Sequence, residues 1–143
     1  MTTAKEFLLQ YQNMKRRIQS IEYVIEELET QAASISINMD GMPHGTDTSD
    51  KTGRLAAAIV DKQEDLADLR EEAFDVMNVV NGVISRVPNE EQKLLLTMRY
   101  INGYTWERIA VEMDFTYQWV AGPLHGTALQ EVEKILADLM LLD

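Results

Sequence analysis

The chain has 143 residues, with 24 Asp plus Glu against 13 Lys plus Arg, and so carries a formal net charge of -11. At 45% hydrophobic and 26% charged it has the composition of a folded soluble domain, not of a disordered acidic tail. The absence of cysteine excludes disulfide frameworks, thiol nucleophiles and cysteine-ligated zinc, and the length fits one domain or a domain with a helical arm.

Three prolines and seven glycines leave long uninterrupted stretches, so long helices are the first expectation. From a cap at Thr2 or Thr3, Phe7, Tyr11, Met14, Ile18, Ile21, Ile25 and Leu28 recur at alternating spacings of four and three, and Ala32 and Ile35 continue them. This heptad seam predicts a helix that packs lengthwise on another helix. Residues 37–52 then read as a loop, because Gly and Pro break helices while Asp, Ser and Thr turn or cap them. A second seam follows a cap at Asp50 or Thr52: Leu55, Ile59, Leu66, Leu69, Ala73, Val76, Val80, Val83 and Val87, with Lys62 at its one polar position. Two seams of matched spacing predict an antiparallel, coiled-coil-like hairpin over 1–87, with Phe74, Met77 and Ile84 left for another partner.

Pro88 marks a boundary, and 88–143 reads as three further helices. Asn89, Glu90 and Glu91 suit a helix N-terminus, and Leu94, Leu95, Met98 and Ile101 form a short apolar face ending at Asn102-Gly103. Thr105 caps a helix from Trp106 to Met113, with Trp106, Ile109, Ala110 and Met113 inward. Thr116 then caps a last helix from Tyr117 towards Leu139. Two helices joined by about three residues form a helix-turn-helix arrangement. Within the last helix, Gly122 and Pro123 predict a kink or break, since an internal proline costs roughly 3 kcal/mol and clashes with the carbonyl four residues back.

The run Met98-Arg99-Tyr100-Ile101-Asn102-Gly103-Tyr104-Thr105-Trp106-Glu107-Arg108-Ile109-Ala110-Val111-Glu112-Met113 resembles the first half of the promoter-reading helix-turn-helix called sigma region four. Phe115-Thr116-Tyr117-Gln118-Trp119-Val120 and Leu124-His125-Gly126, with Ala128-Leu129, resemble the second half. The hairpin, its loop and this motif together resemble small phage and prophage proteins of Gram-positive bacteria, the ArpU/RinA-like late-gene transcriptional regulators. That resemblance covers nearly the whole chain. It implies an all-α protein with a hairpin followed by a three-helix domain, and a regulator that engages promoter DNA, RNA polymerase or both. It also implies DNA contacts from Tyr117, Gln118, Trp119 and His125, with Thr105 and Arg108 at the phosphate backbone and Thr116 among the DNA-binding residues.

One departure bears on those contacts. Basic or polar residues commonly follow the Val120 position in the resembling proteins, where this chain has Ala121-Gly122-Pro123. No Lys or Arg occurs from Ile109 to Glu133, and the charge is -3 over 1–52, -3 over 53–87 and -5 over 88–143. The expected DNA contact is therefore weak or assisted, because affinity for DNA rests mostly on phosphate neutralisation. The alternative is a protein-interaction module with a degenerate helix-turn-helix, and the hairpin is expected either to organise partners or to form a homodimer.

Other chemistry is weaker. Asp40, His44, Asp47 and Asp50 match neither a calcium loop nor a zinc motif and read as a solvated loop. Asp61, Glu64, Asp65, Asp68, Glu71, Glu72 and Asp75 mostly avoid the seam and read as a solvated face, and Lys15, Arg16 and Arg17 as partners of acidic residues. No glycine-rich phosphate loop occurs, so neither an enzyme, a cofactor, a metal nor a small-molecule substrate is expected. Residues 1–10 lack an apolar run behind a basic start. The uncharged stretch 115–130 holds Gly122, Pro123 and Gly126 and falls short of the roughly 18 apolar residues of a membrane span. A cytoplasmic protein without a membrane partner is the expectation.

Overall fold

The structure, a computed structural model, describes residues 3–38 and 46–141. Every regular element among them is helical, so the described chain is all-α. We number five continuous helices: α1 (Ala4–Asn38), α2 (Thr46–Ile84), α3 (Glu90–Leu96, continued by a π turn Thr97–Ile101), α4 (Trp106–Met113) and α5. The last runs from Tyr117–Trp119 through a π turn Val120–Leu124 into His125–Leu141. None of these helices is long and apolar enough to cross a membrane.

The helix starts follow cap chemistry. Thr3 Oγ1 accepts the Glu6 amide at 3.1 Å and opens α1, and Asn89 Oδ1 accepts the Gln92 amide at 2.9 Å and opens α3. The cap is thus Asn89, and Pro88 lies outside the helix. Such side-chain acceptors satisfy amides that have no partner inside the first turn. α2 begins at Thr46, earlier than the expected cap at Asp50 or Thr52, so residues 46–52 are helical and not loop. The weak helix propensity of Asp, Ser and Thr is overridden there. Of the expected loop, 39–45 lie outside the described residues, and with them Asp40 and His44.

The packing divides the chain into two units: one holds the segment up to Met14 together with the chain from Ala73 on, the other Lys15–Glu72. Residues on both sides of Pro88 therefore share one core. In the second unit the seams are covered: Ile25, Leu55, Leu66 and Leu69 are buried, and Ile18, Ile21, Leu28 and Ile59 are half-buried. Glu22 and Arg70 approach to 3.8 Å there, but both side chains are exposed, which limits the pair to about 1 kcal/mol or less.

The core of the first unit gathers Ala4 and Leu8 of α1, Val80, Val83 and Ile84 of α2, then Val87. Leu95, Leu96 and Tyr100 of α3, Ile109 and Ala110 of α4, and Val120, Leu124, Ala128 and Val132 of α5 complete it. The apolar stripe expected to stay available is split: Ile84 is buried in this core, Met77 is half-buried and Phe74 is exposed. The face expected on α3 also changes, because Leu94 is exposed while Leu96 and Tyr100 are buried. The helix then continues through the π turn Thr97–Ile101, in which the Asn102 amide bonds back to the Thr97 carbonyl at 3.0 Å, five residues away.

Gly103 turns the chain after α3 with φ of 73°, and a Cβ there would lie 2.9 Å from Gln12 Oε1. The Gln12 amide in turn donates to the carbonyls of Tyr100 at 3.0 Å and Ile101 at 3.2 Å, which the end of α3 leaves open. Gly103→Ala should therefore lower stability by about 1–2 kcal/mol, since a side chain in the left-handed region is strained before the contact with Gln12 is counted. Gly126 in α5 has nothing within 4 Å of a built Cβ. Gly126→Ala should raise stability by about 0.5–1 kcal/mol through helix propensity. Opposite signs in urea unfolding midpoints check both assignments.

Candidate functional site at the turn between the last two helices

Thr105 Oγ1 accepts the Arg108 amide at 3.2 Å and opens α4, and Thr116 Oγ1 accepts the Trp119 amide at 3.1 Å and opens α5. Between the helices lie Asp114, Phe115 and Thr116. Asp114 adopts the left-handed conformation, φ 58° and ψ 44°, and its amide points to the Ala110 and Val111 carbonyls. The Phe115 amide reaches the Ala110 carbonyl at 3.0 Å. This is a Schellman-type ending, in which a short polar side chain tolerates the backbone that glycine usually supplies. Ala110 and Val120 are both buried, so small side chains line the crossing of α4 and α5.

Of the kink or break that the sequence predicted at Gly122-Pro123, α5 shows no break. It widens to a π turn over Val120–Leu124, and the helix continues. Widening relieves the clash of the proline ring with the carbonyl behind it. The Pro123 carbonyl is met by Thr127 Oγ1 at 3.0 Å, and Thr127 Oγ1 accepts in turn from Gln92 Nε2 at 3.2 Å, tying α3 to α5.

Apart from Arg108, the expected contact residues separate into three groups. Tyr117, Gln118 and Trp119 form the exposed first turn of α5, and that turn carries no charge. Thr105 and Thr116 are exposed, with their hydroxyl oxygens engaged as caps. His125 is drawn inward: its Nε2 lies 2.7 Å from the Tyr100 hydroxyl, and its ring meets Trp106 edge-on at 4.6 Å between centroids. Sequence reasoning did not pair His125 with Tyr100, since 25 residues separate them.

The basic residues of this region are engaged by the chain itself. The Arg99 guanidinium sits 4.5 Å over the Trp106 ring and donates to the Tyr104 carbonyl at 3.0 Å. Arg108 lies 3.7 Å over the Tyr104 ring and 4.0 Å from Glu112. Each stacked guanidinium gains about 0.5–2 kcal/mol from the ring, depending on desolvation. Beside the turn, Glu91, Asp114, Phe115, Thr116 and Trp119 line an open cavity of about 740 Å³. Tyr117 and Gln118 are not among its lining residues. No group of three or more potential metal ligands occurs among the described residues.

No family model, no curated protein and no solved structure matches this chain.

Burial, with the positive charges of Lys5 and Arg99 acting in the same direction, lowers His125 from 6.5 to about 4. Burial raises the Tyr100 hydroxyl to about 12 against the opposing charge of Arg99. Near neutral pH the pair is a neutral imidazole beside a protonated phenol. The lowered folded value means that the histidine's contribution is complete above its unfolded value of 6.5 and is lost as pH falls towards 4. Discounted for the partial exposure of the ring, that loss should be about 1–2 kcal/mol. His125→Phe should remove this part of the pH dependence, measured as unfolding free energy across that window. An unchanged slope would refute the assignment.

Proposed function

We propose that the protein is a transcriptional regulator of the phage and prophage late-gene type, in which a C-terminal helix-turn-helix engages promoter DNA together with RNA polymerase. It works by binding, not by catalysis. One observation carries this reading: α4 and α5 are each capped by a threonine, joined by a three-residue turn with Asp114 left-handed, and followed by an exposed Tyr117-Gln118 step. In a helix-turn-helix the second helix offers its first residues to base edges. Gln118 has the amide that pairs with both edge groups of adenine, and the Tyr117 hydroxyl suits a phosphate.

The engagement of Arg99 and Arg108 within the chain argues that polymerase supplies part of the affinity. Of the two, Arg108 is the more exposed and is the better placed for a phosphate. On this reading α1 and α2 form the antiparallel hairpin of the resembling proteins. Its seams are covered within the chain, so a second copy would use an outer face such as that of the exposed Phe74.

Selection from a randomised duplex library at low salt, with the protein alone and with RNA polymerase, tests the proposal. A sequence motif should be enriched, more strongly in the polymerase arm, and Gln118→Ala should cost about 1–3 kcal/mol of discrimination at one base pair. With so few available cations, log K against log salt should fall with a slope of only about -1 to -2. No enrichment in either arm would refute the reading.

A further inference from the structure

We infer that the cavity beside the first turn of α5 is a docking site for an arginine presented by a protein partner. The cavity holds about 740 Å³ and combines two carboxylates, Glu91 and Asp114, with the aromatic rings of Phe115 and Trp119. No cationic side chain lines it. Among the described residues neither carboxylate has an ion-pair partner, because Lys93 lies 3.2 Å from Glu90 and Arg108 lies 4.0 Å from Glu112. Trp119 is 44% exposed, which leaves its indole accessible, while Phe115 packs against the core and holds the cavity wall.

The occupant follows from that chemistry. Two uncompensated carboxylates attract a cation and repel phosphate, which selects a protein segment over nucleic acid. A guanidinium is favoured over an ammonium, because its plane can stack on an indole while its edge donates to carboxylates in a fork. The site is also preformed at one end. Asp114 is fixed by the left-handed turn, and Glu91 stands in the first turn of α3 behind the Asn89 cap. The inference rests on the turn between α4 and α5 being the working surface of the proposed regulator, but not on its contact with DNA.

The test uses the full chain, labelled with nitrogen-15, and a short peptide carrying one arginine, with the same peptide carrying neutral citrulline as its control. The indole N–H signal of Trp119, assigned through Trp119→Phe, should shift with the arginine peptide and not with citrulline. Glu91→Gln combined with Asp114→Asn should weaken the interaction by about five- to tenfold, and asparagine preserves the left-handed backbone at 114. Glu133→Gln, an exposed carboxylate outside the cavity, should leave it unchanged and so separates the site from the general attraction of an acidic protein. Shifts spread over the acidic face of α2, or equal binding by the double variant with its spectrum otherwise intact, would overturn the inference. The duplex selection read on the parent chain keeps the two proposals apart: arginine capture without DNA enrichment sinks the DNA reading alone, and enrichment without capture sinks the cavity alone.

Discussion

The 2.7 Å contact between the Tyr100 hydroxyl and His125 Nε2 is the interaction on which the C-terminal arrangement depends. It joins the π turn that ends α3 to the residue that follows the π turn of α5, and α4 sits between them in sequence. Both side chains are polar and largely withdrawn from water, so each needs the other. A buried hydroxyl or imidazole without a partner costs roughly 1–3 kcal/mol. Edge-on packing of Trp106 against the imidazole adds the first turn of α4 to the same contact. One polar pair thus fixes three helices, and the turn between α4 and α5 inherits its position from them.

The pair sits where two helices change geometry: Tyr100 lies within the π turn of α3 and is buried with Leu95 and Leu96, and His125 follows the π turn of α5. In α5 the widened turn lets a helix pass through Pro123 without breaking. The residues that looked least compatible with the last helix are those at which it changes geometry. Thr127 completes the change by bonding the Pro123 carbonyl, and this takes its hydroxyl out of the set of groups available to a partner.

The seams were legible in the sequence because they are periodic: each residue of the α1 seam from Phe7 to Leu28 is buried or half-buried. The caps at Thr3, Thr105 and Thr116 were legible for a similar reason, since a hydroxyl before an apolar run has one favourable use. What could not be read was anything decided by contacts across the chain. Gln12 closing the end of α3, Glu91 beside Trp119, the half-burial of His125 against Tyr100 and Trp106, and the burial of Ile84 in the core carry no local signature. The π turn of α3 has none either. In α5, Gly122 and Pro123 did announce an irregularity, but propensity alone does not distinguish a widened turn from a broken helix.

The distribution of charge constrains how such a turn can work. Tyr117 and Gln118 stand on an uncharged helical turn with Glu91 and Asp114 nearby, and the two arginines of the preceding segments lie against Trp106 and Tyr104. A reader of DNA normally takes most of its affinity from phosphates and its specificity from bases. Here the first contribution is largely spent inside the fold, while a side chain suited to the second stays exposed at Gln118. Such a surface would, on the proposed reading, discriminate more than it binds. On the proposed reading it would act where another molecule already holds the promoter, and the acidic cavity beside the turn gives that molecule a place to attach. The excess of negative charge in 88–143 is then compatible with a transcription role, because it favours contact with a basic protein surface while suppressing sequence-blind adhesion to DNA.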